Sequence, residues 1–209
     1  MLAIPKNTSI WHWIFDEALP NCRFNNGREG GYRDAHTQEF LSFVKIKAEA
    51  TNLSTAIANR FNISLGSHVT IFCQNSIWYP VANFAAIRLG AVVTASSPDY
   101  EVEEIAHVLR TSESDLIYAD ASSWNVVCQA AEKVKINSDR IIFLGELSDV
   151  NISSDKVTMH DLISEAKAKG EMEQVEAWIP SPGQSVQEIP AYLSFTSGTT
   201  GLPKGVTYT

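Results

Sequence analysis

The chain has 209 residues, 44% of them hydrophobic and 19% charged, proportions that suit one large or two small globular domains. A formal net charge of −8 gives no general attraction to nucleic acid or anionic lipid, and no run approaches the ~20 apolar residues of a membrane-spanning helix. Cys22, Cys73 and Cys128 are far apart and odd in number, so neither a disulfide framework nor a metal knuckle is indicated.

Near the N-terminus, Trp11-His12-Trp13-Ile14-Phe15 is too short an apolar run for a secretory signal, and Asp16-Glu17 follows it. This aromatic cluster either anchors at a membrane surface or packs against the domain. Residues 1–36, with Gly27, Gly30 and Gly31, are expected to be irregular. A helix is predicted over 37–61 from the four-residue spacing of Phe40 and Val44, then Leu53, Ile57 and Phe61. Lys45, Lys47, Glu49 and Arg60 are assigned to its wetter face. A turn at Ser64-Leu65-Gly66 precedes a β-rich run at 68–73. Ser76 is placed as the cap of a helix reaching about Leu89, with Pro80 near its start and Gly90 as its stop. A strand at 91–95, a turn at Ser97-Pro98 and a helix over 101–111 come next. The alternation continues with a strand at 115–119, a helix through about Lys135 and a strand at 140–144. After a polar region at Ser153-Ser154-Asp155, a helix is predicted over 160–169. A surface connection is expected over 171–188, with Pro180, Pro182 and Gly183, and a last strand at 191–195. This rhythm predicts an α/β fold, mainly a parallel sheet with flanking helices, whose ligands bind beyond the carboxyl ends of the strands. The five histidines have no metal-ligand spacing, and no internal repeat is present.

The segment 196–205 reads Thr-Ser-Gly-Thr-Thr-Gly-Leu-Pro-Lys-Gly. Thr196, Ser197, Thr199 and Thr200 carry hydroxyl donors, and Gly198 and Gly201 let backbone N–H groups approach an anion closely. Lys204 adds a point charge. Those residue types together suit the holding of a polyphosphate. A Walker loop is excluded by residue type, because G-x-x-x-x-G-K-[ST] has glycine before the lysine and a hydroxyl after it, whereas Pro203 and Gly205 flank Lys204. These two residues also argue against a helix starting there. The plain alternative is a Ser/Thr/Gly-rich surface turn without a ligand, and the number of defined positions in one block weighs against it.

The block meets every defined position of [ST]-[ST]-G-[ST]-T-G-x-P-K-G and resembles the phosphate loop of the adenylate-forming (AMP-binding) superfamily, the acyl- and aryl-CoA ligases, luciferases and peptide-synthetase adenylation domains. Upstream, Arg88-Leu89-Gly90-Ala91-Val92-Val93-Thr94, Ser97-Pro98, the helix from Glu101 to Leu109 and Cys73-Gln74-Asn75-Ser76 resemble the family's preceding elements. Together, roughly 40–206 is similar to the N-terminal subdomain of a 4-coumarate–CoA ligase-like enzyme of the fungal secondary-metabolism kind. On that resemblance, 37–209 is a partial AMP-binding domain ending just after the phosphate loop.

The resemblance implies ATP with Mg2+ and a carboxylic acid of unknown identity as reactants, with coenzyme A as co-substrate, while the cysteine usage sets a reduced, cytoplasmic setting as the expectation. Some family members are peroxisomal, but no targeting signal is seen here. It further implies that Thr196, Ser197, Gly198, Thr199, Thr200, Gly201 and Lys204 bind the ATP phosphates, with Pro203 stiffening the approach to Lys204. The family's Y-G-x-[ST]-E stretch, ribose-binding aspartate, hinge and C-terminal lysine have no counterpart up to Thr209, so no catalytic residue is assigned. The expectation is a truncated ligase that binds ATP weakly and makes no thioester alone. Two alternatives stand beside it: a non-catalytic partner module using Trp11 and Trp13, and one half of a split ligase completed by a separate polypeptide.

Overall fold

A computed structural model describes residues 7–21, 29–145, 156–170, 174–196 and 202–209. The chain opens with one helical segment, α1 (Ile10–His12), a π-helical stretch (Trp13–Ala18) and α2 (Leu19–Asn21), started by Ser9 Oγ accepting the His12 N–H at 3.2 Å. A short antiparallel pair, β1 (Gly31–Arg33) and β2 (Phe40–Ser42), precedes α3 (Phe43–Phe61). Then β3 (His68–Phe72), α4 (Tyr79–Arg88), β4 (Val92–Ala95), α5 (Val102–Thr111), β5 (Leu116–Ala119), α6 (Trp124–Val134), β6 (Ile141–Phe143), α7 (Met159–Lys169), β7 (Tyr192–Thr196) and β8 (Lys204–Tyr208) follow.

Six strands form one sheet in the order β6-β5-β3-β4-β7-β8. Every pairing is parallel except β7–β8, so the expected α/β architecture holds. Alternation along the strands feeds two cores. Val69, Ile71, Val93, Leu116 and Tyr118 face α3, α4 and α7, whereas Phe72, Ile117, Ala119 and Phe143 face α5 and α6. Strands buried on both faces read as continuous apolar runs, which is why the sequence marks them.

Local signals set the helix ends. Thr158 and Asp161 form a reciprocal capping box at α7, with Thr158 Oγ1 accepting from Asp161 N at 3.0 Å and Asp161 Oδ2 accepting from Thr158 N at 2.9 Å. Gly90 stops α4 at φ +73°, a conformation that favours glycine, and a Cβ there would meet Trp178 Cδ2 at 2.9 Å.

Several expectations are corrected. The helix expected over 37–61 starts only after Ser42, whose Oγ accepts the Lys45 N–H at 3.2 Å, and Phe40 belongs to β2. Val44 is 71% exposed, while Leu53 and Ile57 are fully buried. Nine residues at about 100° each put Val44 roughly half a turn from Leu53, so the apolar stripe runs instead through Ile46, Ala50, Leu53 and Ile57. Glu49, assigned to the wet face, is 7% exposed and takes an ion pair from Lys167 on α7, at 2.7 Å. Within 1–36, the described residues include α1, α2 and β1 rather than irregular chain alone. The aromatic cluster is no correction but takes the second of its two expected readings, packing against the domain: Trp11 and Phe15 are 3% and 5% exposed, their rings 4.5 Å apart, and Phe15 meets Phe84 of α4 at 5.0 Å. Arg88 stacks over Trp11 at 5.6 Å and donates to Ser54 Oγ at 2.9 Å. Lastly, a strand, β8, follows the glycine-rich loop where none was expected. No described helix is long and apolar enough to cross a membrane.

Candidate functional site

Parallel pairing brings the carboxyl ends of β3, β4, β5 and β7 to one rim of the sheet, the edge where open α/β sheets receive ligands. β7 ends at this rim and β8 runs back from it as the antiparallel neighbour, so the described ends of the candidate segment, Thr196 and Lys204, lie side by side there. The two are register partners across this strand pair, and Thr196 Oγ1 donates to Lys204 O at 3.4 Å. Both residues are exposed, and Lys204 forms no salt bridge among the described residues. Ser197, Gly198, Thr199, Thr200 and Gly201 lie outside the described residues. The structure therefore brings together Thr196 and Lys204 of the seven expected phosphate-binding residues.

Lys204 is approached from a fixed base. Leu202 is 53% exposed, but Pro203 is buried. Gly205 lies under two side chains of β7: a Cβ there would meet Leu193 Cδ1 at 3.1 Å and Phe195 Cζ at 3.6 Å. Without a side chain, the returning strand seats closely against β7.

A second rim group was not anticipated. Asp120, just past β5, accepts from the backbone N–H of Gln74 at 2.9 Å and of Ser123 at 3.0 Å. It also accepts the Ser122 and Ser123 hydroxyls, at 2.8 and 2.7 Å, while Ser123 Oγ lies 2.7 Å from Phe72 O. Burial pushes the Asp120 carboxyl up, but the bonds from Ser123, Gln74 and Ser122 outweigh it and hold the group below the usual aspartate range. This network ties the segment after β3 to the start of α6. The run Asp-x-Ser-Ser after an apolar strand is a turn signal that could have flagged it.

Beside it, burial pushes the Cys73 thiol up to about 12, with the Asp120 charge adding to the effect, so this cysteine is no thiolate near neutral pH. Burial also pushes the Tyr79 hydroxyl up to about 12. Asn83 Nδ2 donates to the Tyr192 hydroxyl at 3.3 Å. On β4, Thr94 Oγ1 and, just beyond it, Ser96 Oγ are buried without a hydrogen-bond partner. Among the described residues, no group of three His, Cys, Asp or Glu is gathered to hold a metal ion.

A cavity of about 170 Å³ lined by Trp13, Ile87, Gly90, Trp178, Pro190 and Thr209 lies at the other end of the sheet, before β4 and β7, and neither Thr196 nor Lys204 lines it. Chemically, the described hairpin offers a hydroxyl and a cation at a strand terminus. A hydroxyl beside a cation is a combination suited to holding and neutralising an anion.

Known proteins resemble this chain along almost its whole length. The chain is 30% identical over 161 residues to 4-coumarate–CoA ligase 2 of Oryza sativa subsp. japonica, covering 75% of this chain and 27% of that protein. It is 24% identical over 201 residues to the phenylacetyl-CoA ligase epaB of Aspergillus niger, covering 96% of this chain and 35% of the relative. The chain thus spans about a third or less of either relative. In fold, it matches the anthranilate CoA ligase AuaEII, solved in complex with anthranoyl-AMP, with a TM-score of 0.76 at 17% identity over 98% of this chain and 35% of that one. The sequence pattern of the AMP-binding enzyme family covers residues 26–209, taking in the parallel sheet, the rim and the hairpin that carries Thr196 and Lys204, and the chain belongs to that family.

Proposed function

We propose that this chain supplies the ATP-phosphate grip of an acyl- or aryl-CoA ligase of the AMP-forming kind, with Thr196, Ser197, Gly198, Thr199, Thr200, Gly201 and Lys204 holding the β- and γ-phosphates. The observation that carries this reading is the Thr196–Lys204 pair at the rim, an exposed cation without a salt bridge among the described residues, on a backbone bonded from the facing strand. In the proposed reaction a carboxylate oxygen of the acid attacks the α-phosphorus of ATP. The bond from that phosphorus to the bridging oxygen breaks, and pyrophosphate leaves with the electron pair. The thiolate of coenzyme A then attacks the acyl carbon of the adenylate, releasing AMP and leaving a thioester. Lys204 would neutralise charge as it builds on the departing pyrophosphate, and the loop would align it. Mg2+ accompanies the triphosphate, and no described cluster of this chain is assigned to it. The acid is proposed as an acyl or aryl carboxylic acid, the setting as cytoplasmic and the pathway as secondary-metabolite biosynthesis.

Gripping phosphates supplies only part of what lowers the barrier to both steps. Assayed alone, the 209-residue chain is expected to bind ATP weakly and to form no acyl-CoA. Calorimetric titration with ATP tests the grip. Lys204→Ala should weaken binding about tenfold or more, as expected for loss of a charge-assisted contact of ~1.5–3 kcal/mol. Thioester production by the pure chain would contradict the expectation of inactivity.

One observation favours a split enzyme as a second reading. Every residue of β8 is exposed, Val206 and Tyr208 being 41% and 53% accessible, and among the described residues no strand pairs with its outer edge, onto which further polypeptide can add. A separate polypeptide carrying the Y-G-x-[ST]-E stretch should then give pyrophosphate release only when mixed with this one. Equal rates with and without this chain would dismiss that reading.

A further inference from the structure

The carbonyl immediately before Lys204 is held from outside the hairpin. His107, in the middle of α5, places its Nε2 2.8 Å from Pro203 O, across 96 positions of sequence. A carbonyl oxygen only accepts, so Nε2 carries the proton and donates. The imidazole stands edge-on to the Phe195 ring, with centroids 6.3 Å apart and planes at 82°. The helix behind it is firmly seated: Ile105, Ala106, Val108 and Leu109 are buried, Glu101 and Glu104 form a capping box, and Glu103 pairs with Lys133 of α6.

The geometry matters because of what precedes the lysine. Pro203 has its φ fixed by its ring, which leaves ψ as the soft dihedral before Lys204. A bond to the Pro203 carbonyl fixes that dihedral and with it the direction in which Lys204 leaves the strand. On the other side, Thr196 Oγ1 holds the Lys204 carbonyl. Both peptide planes around the lysine are thus set by side chains remote from it in sequence.

We propose that His107 is a positioning residue for the phosphate-binding lysine: α5, through Nε2–H, sets the approach of Lys204 to a nucleoside triphosphate. This inference rests on the reading of Lys204 as a phosphate ligand. A chain already ordered at the lysine loses less freedom on binding, so breaking the bond should cost affinity for ATP without removing any group that touches it.

Two readouts test it. In 15N–1H spectra of the free chain, the Lys204 amide should shift in His107→Ala, because its own peptide carbonyl loses a donor. It should return toward wild type in His107→Gln, whose Nε2–H reaches the same place, and not in His107→Asn, whose amide falls short. In ATP titrations, His107→Ala and His107→Asn should bind several-fold more weakly, with His107→Gln within about twofold of wild type. An unmoved Lys204 amide in His107→Ala overturns the proposal whatever ATP does. A Lys204→Ala variant that loses affinity while His107→Ala keeps it leaves the phosphate reading standing and removes the positioning role. If Lys204→Ala binds ATP as wild type does, both fall. Should His107→Ala fail to fold, the Gln and Asn variants decide, and equal behaviour of the two overturns the proposal.

Discussion

The two halves of the main sheet are built to different standards. In β6, β5, β3 and β4 nearly every residue is buried, with helices on both faces. In β7 burial is partial, and in β8 all five residues are exposed. The sequences mirror this: Leu-Ile-Tyr-Ala in β5 is apolar throughout, whereas Lys-Gly-Val-Thr-Tyr in β8 mixes charge, glycine and hydroxyls. One half holds the fold together and the other presents the candidate chemistry. Stability and ligand binding should therefore respond to different mutations.

The largest effect is expected in the covered half. Ile71→Ala, at a residue 1% exposed in β3, should lower unfolding free energy by ~2–5 kcal/mol in urea titration. A cost near that of an exposed β8 residue would break the comparison. At the rim, Asp120→Ala should cost ~1–3 kcal/mol, because it strips acceptors from Gln74, Ser122 and Ser123. Its pH dependence has a definite sign. Asp120 is held below its unfolded value of about 3.9, so the wild type keeps this stabilisation above that pH and loses it as pH falls through the depressed folded value. The gap between variant and wild type should close in acid, and a gap that widened would refute the assignment. Smallest of all, Val206→Thr should change stability by no more than ~0.5 kcal/mol. A larger loss would mean that β8 is covered in solution.

Much of this fold could be read directly. Strands at 68–72, 92–95, 116–119 and 141–143 are apolar runs punctuated by Gly66, Gly90 and Ser97-Pro98, and fully buried parallel strands leave that trace. What escaped depended on distant partners. Glu49 is buried because Lys167 meets it across 118 positions, and no local pattern announces that. In α3 the buried face through Leu53, Ile57 and Phe61 was legible, whereas Val44 falls off it because the spacing was carried from Phe40 across the β2–α3 junction, where period 2 gives way to period 3.6. β8 was hidden by Pro203 and Gly205, which read as loop although Val206, Thr207 and Tyr208 favour strands. At the site, residue types pointed to Thr196, Ser197, Gly198, Thr199, Thr200, Gly201 and Lys204, while the contacts of His107 and Asp120 exist only in the folded chain.

The most direct test sets affinity against stability in one variant. The Lys204→Ala protein should unfold at the same urea concentration as wild type while its affinity for ATP falls about tenfold or more. Unchanged affinity, or a loss that merely tracks a drop in stability, would contradict the assignment of phosphate binding to the exposed half of the sheet.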